Sequence, residues 1–201
     1  MLGVAGLGCA RNSNTETTQS ARVGGSVYLD VIQPPDNHNR FVVFTNTGTI
    51  RGADKEIEQR TNRPPTAGID SCHNHPSMPS PDGKLVATCD GDLVATMTVA
   101  KPDEFTIVSG SSHKIVYKTS FEKKINGFLW SPDSQAVAVL SSKVRTSKNP
   151  GDWLYALSGH PIQYEEYYLH IVDLQTLKAS SFRLPITGNS STADMLYWKQ
   201  P

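Results

Sequence analysis

The sequence has no excess of charge of either sign, because its 201 residues include 19 basic and 19 acidic side chains. A balanced chain creates no field that attracts nucleic acid or an acidic membrane surface. It also lacks any apolar run near the length of about 18 residues that a membrane-spanning helix needs. We therefore expect neither a nucleic-acid partner nor a transmembrane segment.

Helical periodicity and catalytic motifs are also scarce. Glycine, proline, serine, threonine and asparagine interrupt the chain at short intervals, which is typical of all-β proteins. The sequence has no nucleophile elbow, no glycine-rich phosphate loop and no dinucleotide-binding fingerprint. These absences favour a protein that is not an enzyme and that binds no cofactor.

One segment of the sequence occurs in two similar copies. Ser80–Thr88, SPDGKLVAT, recurs as Ser131–Val139, SPDSQAVAV, and a weaker copy begins at Pro35. The two copies begin 131 − 80 = 51 residues apart, and repetition at a spacing of this size predicts a repeat architecture. We expect repeat units over residues 27–70, 71–122 and 123–190.

Each phrase predicts a β-hairpin. Proline and the Asp-Gly pair suit a tight turn, so we expect turns at Asp82-Gly83 and Asp133-Ser134. The runs that follow, Leu85–Thr88 and Ala136–Leu140, are mostly apolar at both odd and even positions. A strand of this kind is buried on both faces, as it is in a sheet stacked between two others. Propeller blades, each a four-stranded antiparallel sheet, make that arrangement.

The same residues resemble a known family. Residues 76–84, PSMPSPDGK, and 128–133, FLWSPD, are similar to the Pro-x-Trp-Ser-Pro-Asp-Gly-Lys signature of TolB-type, WD-repeat-like β-propellers. Residues 168–178 resemble the third strand and turn of that family. The resemblance implies an all-β fold with propeller-like repeats of four-stranded antiparallel blades. Members of the family share no single activity, so it implies no particular function.

The number of units predicts a partial propeller. Residues 194–198 begin another copy of the segment at 126–130, but the copy has no turn or second strand after it. A partial ring of about three to four blades is at or below the small end of the 4 to 8 blades of closed propellers. We expect an open arc with an unpaired apolar edge, which belongs to a larger subunit or is completed by another chain. The alternative is that the final strand completes the first sheet.

The N-terminus resembles the end of a bacterial lipoprotein signal. Met1–Gly8 is uncharged, Cys9 follows, and a stretch rich in serine, threonine and asparagine comes next. This pattern predicts a disordered segment over residues 1–25, lipidated at Cys9, before a β-propeller-like domain over 26–201. The protein would then be extracytoplasmic, either periplasmic or anchored to a membrane by lipid. The alternative is a frayed terminus with an ordinary cysteine in a cytoplasmic protein.

Two more cysteines, Cys72 and Cys89, form an even pair. In a hairpin that turns at Asp82-Gly83, the residue opposite Cys89 is near Pro76, four positions from Cys72. That offset is too large for a direct cross-strand bridge. We therefore expect two buried or half-buried thiols rather than a disulfide.

His73 and His75 are the candidate metal ligands. Alternate residues on a strand point to one face, so the two rings would lie together, with sulfur and carboxylate ligands nearby. A closed site needs further ligands from elsewhere in the chain. The stronger interpretation is a surface loop, and no resident metal is expected.

A long connection between two strands is the candidate partner site. About two dozen residues from Lys143 to Glu166 separate the predicted strands, and connections this long are often functional. The segment mixes aromatic side chains with arginine and lysine, as binding surfaces do. Its candidate contact residues are Trp153, Tyr155, His160 and Tyr164. The alternative is that Trp153–Leu157 forms one more strand of the blade.

Three functions are compatible with the sequence. The first is a non-catalytic protein-binding or scaffold module, extracytoplasmic and part of a larger assembly or a longer chain. The second is the propeller domain that accompanies a serine peptidase of the prolyl oligopeptidase type. The third is a metal- or ligand-binding propeller. The sequence favours the first.

Overall fold

A computed structural model describes residues 24–33, 38–45, 49–52, 72, 76–90, 103–121, 124–186 and 192–199. These residues form twelve strands in three four-stranded antiparallel sheets. The strands are β1 Ser26–Gln33, β2 His38–Phe44, β3 Ile50–Gly52, β4 Ser77–Pro79, β5 Leu85–Asp90, β6 Glu104–Ser109, β7 Ile115–Ser120, β8 Lys124–Trp130, β9 Ala136–Thr146, β10 Gln163–Asp173, β11 Lys178–Arg183 and β12 Thr192–Lys199. Sheet I has the order β12-β1-β2-β3, sheet II the order β4-β5-β6-β7, and sheet III the order β8-β9-β10-β11.

The sheets correspond to the predicted repeat units. Sheet II lies within 71–122 and sheet III within 123–190, while sheet I combines the first unit with β12. In the described part of the chain, the helical residues are a 3₁₀ turn at Pro150–Asp152 and one short helix, α1, at Trp153–Leu157. No described helix has the length and apolar character to cross a membrane. The architecture is therefore all-β and consistent with propeller-like blades.

Sheet III lies between the other two sheets. From one of its faces, Ala138 and Leu140 pack in an apolar cluster with Leu29 of sheet I. From the opposite face, Val137 and Val139 pack in a second cluster with residues of sheet II. Every residue from Ala136 to Leu140 is buried, as the sequence predicted. Burial on both faces follows from the middle position of this sheet.

The matching prediction for Leu85–Thr88 is wrong. Ala87 is buried, but Val86 and Thr88 are only half-buried. Ala87 belongs to the cluster shared with sheet III, whereas Val86 and Thr88 point to the other face of sheet II. The described apolar clusters involve one face of sheet II, so β5 alternates like a strand at the end of a stack.

Both predicted turns are present and have the same construction. In the first, the Ser80 hydroxyl donates to the Asp82 carboxylate at 2.7 Å and accepts the Leu85 amide at 3.0 Å. The Ser131 hydroxyl does the same with Asp133 at 2.6 Å and the Ala136 amide at 2.9 Å. These bonds fix the start of the second strand in sheets II and III.

The carboxylate in the first of these turns is held in its ionised form. Hydrogen bonds from the Ser80 hydroxyl and the Lys84 amide lower the pKa of Asp82 to about 2. A hydrogen-bonded carboxylate is easier to ionise because the bonds favour its charged form. The turn therefore keeps its hydrogen bonds across the neutral pH range.

The last strand completes sheet I, which is the alternative that the sequence left open. β12 runs antiparallel to β1, from Ser26 opposite Lys199 to Ile32 opposite Thr192. The Trp198 indole N–H donates to the Gly24 carbonyl at 3.1 Å, and Trp198 is buried in the cluster between sheets I and III. Burial of this large ring explains why the strand joins sheet I.

Cys72 and Cys89 form a disulfide, which contradicts the prediction of thiols. Their Cα atoms are 5.4 Å apart, and both residues are buried in the cluster between sheets II and III. The Cys89 amide does donate to the Pro76 carbonyl, at 3.4 Å, as the hairpin register predicted. The prediction failed because it extended a straight strand back to Cys72, whereas β4 begins only at Ser77.

Candidate functional site

The central hairpin of sheet III is longer than the rest of its sheet. β9 and β10 each have 11 residues and are paired from Ala136–Asp173 to Thr146–Gln163. The pairing of β8 with β9 reaches only Ser142, and that of β11 with β10 reaches only Tyr168. Residues 143–166 therefore extend beyond the sheet as a two-stranded ribbon with a loop at its end. We call this segment the arm.

The end of the arm is helical. The Asn149 side chain accepts the Gly151 amide at 3.4 Å, Pro150 opens the 3₁₀ turn, and α1 follows at Trp153–Leu157. Gly159 then adopts a positive φ of 82°, as residues just past a helix end often do. The alternative of a strand at Trp153–Leu157 is therefore wrong. An asparagine cap with proline after it favours helical backbone at this point.

Helix α1 exposes all of its large apolar side chains. Relative exposures are 61% for Trp153, 67% for Leu154, 57% for Tyr155 and 64% for Leu157, and the helix buries no residue. Single exposed apolar residues are ordinary, but a contiguous group marks an interaction surface. We call these four residues the tip.

The four predicted contact residues all lie on the arm. Trp153 and Tyr155 belong to the tip, and His160 is exposed, with its amide bonded to the Tyr155 carbonyl at 3.0 Å. Tyr164 is half-buried on β10, opposite Arg145. The structure brings Trp153, Tyr155 and His160 to the end of the arm and places Tyr164 on the return strand.

A charged cluster at the base of the arm was not found from the sequence. Glu166 is only 7% exposed and accepts from Arg145 Nε at 3.0 Å, Arg183 Nη2 at 2.9 Å and the Tyr168 hydroxyl at 3.0 Å. The hydrogen bond from Arg145 is the main cause that lowers the pKa of Glu166. The carboxylate is therefore ionised between two guanidinium groups.

A serine–histidine pair lies deeper in sheet III. His170 Nε2 is 2.7 Å from Ser141 Oγ, and His170 Nδ1 is 2.7 Å from Ser181 Oγ. His170 and Ser141 are both buried, and the Phe121 ring lies 4.2 Å from the imidazole. A nucleophile must meet its substrate, which Ser141 in this position cannot do. The imidazole instead connects β9, β10 and β11.

The other predicted site residues give no site in the described structure. Cys9, His73 and His75 lie outside the described residues, and so does the segment 1–23. Cys72 and Cys89 are bonded to each other, which leaves no thiolate to ligate a metal there. Within the described ranges, no group of three or more His, Cys, Asp or Glu residues is placed to hold a metal ion.

Comparison with known proteins finds similar solved structures, two of which are described here. No protein-family model and no curated protein sequence matches the chain. An acylaminoacyl peptidase of Pyrococcus horikoshii is 16% identical over 73% of this chain and 21% of its own, with a TM-score of 0.37. A hydrazine synthase of Kuenenia stuttgartiensis is 16% identical over 80% of this chain and 42% of its own, with a TM-score of 0.38. The chain thus spans less than half the length of either protein.

Proposed function

We propose that this chain is a non-catalytic protein-binding module that contacts its partner through the tip of the arm. The observation that carries the proposal is the joint exposure of Trp153, Leu154, Tyr155 and Leu157 on a helix that buries nothing. Tryptophan and tyrosine are enriched among the residues that dominate binding energy. Burying one such side chain contributes about 1.5–3 kcal/mol.

The arm suits binding because hydrogen-bonded strands join it to sheet III. Its strands continue β9 and β10 in unbroken register, and the Ser147 amide donates to the Ile162 carbonyl at 2.8 Å just below the helical end. A preformed contact surface loses little conformational entropy on association. The three packed sheets thus serve as a scaffold and the arm as the contact element.

We further propose that the three sheets are blades of a partial, TolB-like β-propeller. All three have the same strand order, in which β12 takes in sheet I the edge place that β4 and β8 take in the other two. Equivalent parts of neighbouring sheets also meet: the Asp82 amide donates to Ser134 Oγ at 3.1 Å, and the Trp130 indole donates to the Met78 carbonyl at 3.0 Å. In this proposal another chain, or more of the same one, supplies further blades.

The disulfide supports a proposed extracytoplasmic location. Disulfides persist in oxidising compartments and are rare in the cytosol. Mass spectrometry of the protein from its native cells, with free thiols blocked before lysis, tests this location. Unblocked Cys72 and Cys89 joined in one peptide pair, and a lipid mass on Cys9, are the expected results. Alkylated Cys72 and Cys89 contradict the extracytoplasmic proposal, and an unmodified Cys9 contradicts lipidation.

Affinity capture tests the binding proposal. Wild-type chain, the double variant Trp153→Ala/Tyr155→Ala and the control Ile115→Ala are immobilised and exposed to extract of the native cells. Ile115 is 62% exposed on β7 of sheet II, a different sheet from the one that carries the arm, and it matches the tip in exposure. A partner retained by wild type and by the control, but not by the double variant, is the expected result. Equal capture by all three overturns the proposal.

A further inference from the structure

The arm and the neighbouring strand β11 share a face with an excess of positive charge. Paired residues of an antiparallel ribbon share a face, and so do residues two apart along a strand. Glu166 pairs with Lys143, Tyr164 pairs with Arg145, and Tyr168 pairs with Arg183. This face of β9–β11 thus carries three cations, Lys143, Arg145 and Arg183, but only one carboxylate. We call it the cationic face.

That one carboxylate is used inside the protein. Glu166 is buried and already accepts from both guanidinium groups and from the Tyr168 hydroxyl. It neutralises one of the three positive charges and leaves two. Since the side chains of Arg145 and Arg183 are 45% and 54% exposed, the excess charge faces solvent.

The two guanidinium groups keep most of their hydrogen-bonding capacity. Each has five N–H donors in a planar fork. Glu166 takes one contact from Arg145, through Nε, and one from Arg183, through Nη2, and Arg145 also donates to the Tyr168 hydroxyl. The remaining donors are held in place by a buried anchor, which lowers the entropy cost of using them. Fixed planar donors of this kind match carboxylates.

Two cations of the cationic face, Lys143 and Arg145, lie on the arm that carries the tip, and Arg183 lies next to its base on β11. Arg145 precedes the helical end, and Tyr164 and Glu166 follow it on the return strand. A partner that covers the tip and continues along the return strand meets the cationic face. Opposite charge at the margin of an apolar contact speeds association and fixes orientation.

Building on the proposed function, we infer that the partner is an acidic protein segment: apolar side chains cover the tip, and a carboxylate binds the guanidinium groups of Arg145 and Arg183. The tip supplies affinity that is insensitive to salt. The cationic face supplies selectivity for Asp or Glu over their amides.

Peptide binding tests this inference without a known partner. The probes are two fluorescein-labelled peptides, one alternating glutamate with leucine and one alternating glutamine with leucine, measured by fluorescence anisotropy. Wild-type chain should bind the glutamate peptide about tenfold more tightly, a factor that corresponds to one good charged contact. Raising the salt concentration should reduce this preference. Equal affinity for the two peptides overturns the inference.

Substitutions show which residues cause the preference for the glutamate peptide. Arg145→Gln/Arg183→Gln leaves a buried carboxylate without its two cationic partners, so a triple variant adds Glu166→Gln to remove that charge as well. The triple variant should lose the preference for glutamate. Lys143→Gln, which leaves Glu166 and its contacts intact, should reduce it, and the control Lys178→Gln on an exposed part of β11 should not. A preference that survives in the triple variant overturns the inference.

Two further measurements separate this inference from the proposed function and from phosphate binding. Trp153→Ala/Tyr155→Ala should weaken binding of both peptides equally; if it leaves both unchanged, the tip proposal fails while the charge preference still tests the cationic face. Inorganic phosphate is added as a competitor at matched ionic strength, against chloride. Displacement of the glutamate peptide by phosphate well beyond the chloride effect would mark a phosphate site and overturn the assignment to a carboxylate.

Discussion

At the scale of single residues, Ser134 shows how two repeats are joined. It occupies the turn position that Gly83 occupies in the other copy, and the two have φ values of 60° and 71°. A side chain in this conformation costs about 1–2 kcal/mol, which glycine avoids. The serine compensates because its buried hydroxyl accepts the Asp82 amide of the neighbouring sheet at 3.1 Å.

Substitution of Ser134 separates these two effects. Ser134→Ala removes the hydrogen bond and keeps the backbone cost, so its free energy of unfolding should fall by about 1 kcal/mol. Ser134→Gly also removes the bond but relieves the backbone, and should stay within about 0.5 kcal/mol of wild type. Urea denaturation measures both values. Equal losses in the two variants would show that the conformation of the turn carries no cost.

The ion pairs of Glu166 make the free energy of unfolding depend on pH, so that the folded chain loses stability in acid. Its pKa is lower in the folded chain than the ordinary value of 4.5, so the unfolded chain binds the proton more readily. The stabilisation is complete above that ordinary value and is lost as the pH falls through the folded value. Urea midpoints of wild type and Glu166→Gln should therefore differ most near neutrality and converge in acid. A constant difference would contradict the role of the ion pairs.

Sequence reasoning found some of these residues and missed others for a physical reason. The Ser-Pro-Asp turns were predictable because the side chains of adjacent residues determine them locally. The contact between Glu166 and Arg183 was not, because it depends on the register of β10 with β11. Cys72 was misjudged in the same way, since the course of the chain before β4 decides its position.

At the scale of elements, the arm is separable from the sheet that carries it. Thr146 and Gln163 are the last paired residues, and neither the 3₁₀ turn nor α1 buries a side chain. Replacing residues 147–162 with Asn-Gly, the sequence of a tight hairpin turn, should therefore change the free energy of unfolding by less than about 1 kcal/mol. The same change should abolish capture of the partner.

The control for this deletion is an exchange that keeps the arm. In it, residues 147–162 remain and the four tip side chains become serine. Both proteins should unfold like wild type in urea and neither should capture the partner. A large loss of stability in the deletion alone would show that the loop supports the sheet.

The sequence singled out the segment of the arm but was wrong in treating all of it as a connection, because β9 continues to Thr146 and β10 begins at Gln163. Its length marked it as unusual for a hairpin connection. An apolar run of five residues such as Trp153–Leu157 suits either a strand or a helix, and periodicity does not separate the two at that length. The structural choice follows from the flanking residues, Asn149-Pro150 before the run and Gly159 after it.

At the scale of the whole molecule, sheet III should be the most stable part. It contributes to both apolar clusters, whereas sheets I and II each contribute to one of them. Amide hydrogen exchange followed by mass spectrometry should therefore show the slowest exchange in peptides from the inner halves of β9 and β10, 137–141 and 168–172. Peptides from β7 in sheet II should exchange faster. Slower exchange in sheet I or II than in sheet III would contradict the stacking order.

The repeat pattern predicted four-stranded units but not which strands would be buried on both sides. The phrases at Ser80 and Ser131 are alike, and so are the strands that follow them. Their burial differs because one belongs to the middle sheet and the other to an end sheet. Position in the stack is a property of the assembled chain, and the local sequence does not record it.

The pairing of β12 with β1 also affects how the chain folds as it is synthesised. Sheets II and III are complete once residue 183 has left the ribosome, but sheet I must wait for Lys199. Until then one edge of β1 is open, with Val27 and Leu29 lacking the Trp198 ring that shares their cluster. The open edge of β1 can also pair with β12 of a neighbouring nascent chain. Polysomes that carry several copies are thus the setting in which this fold would exchange strands and form domain-swapped dimers.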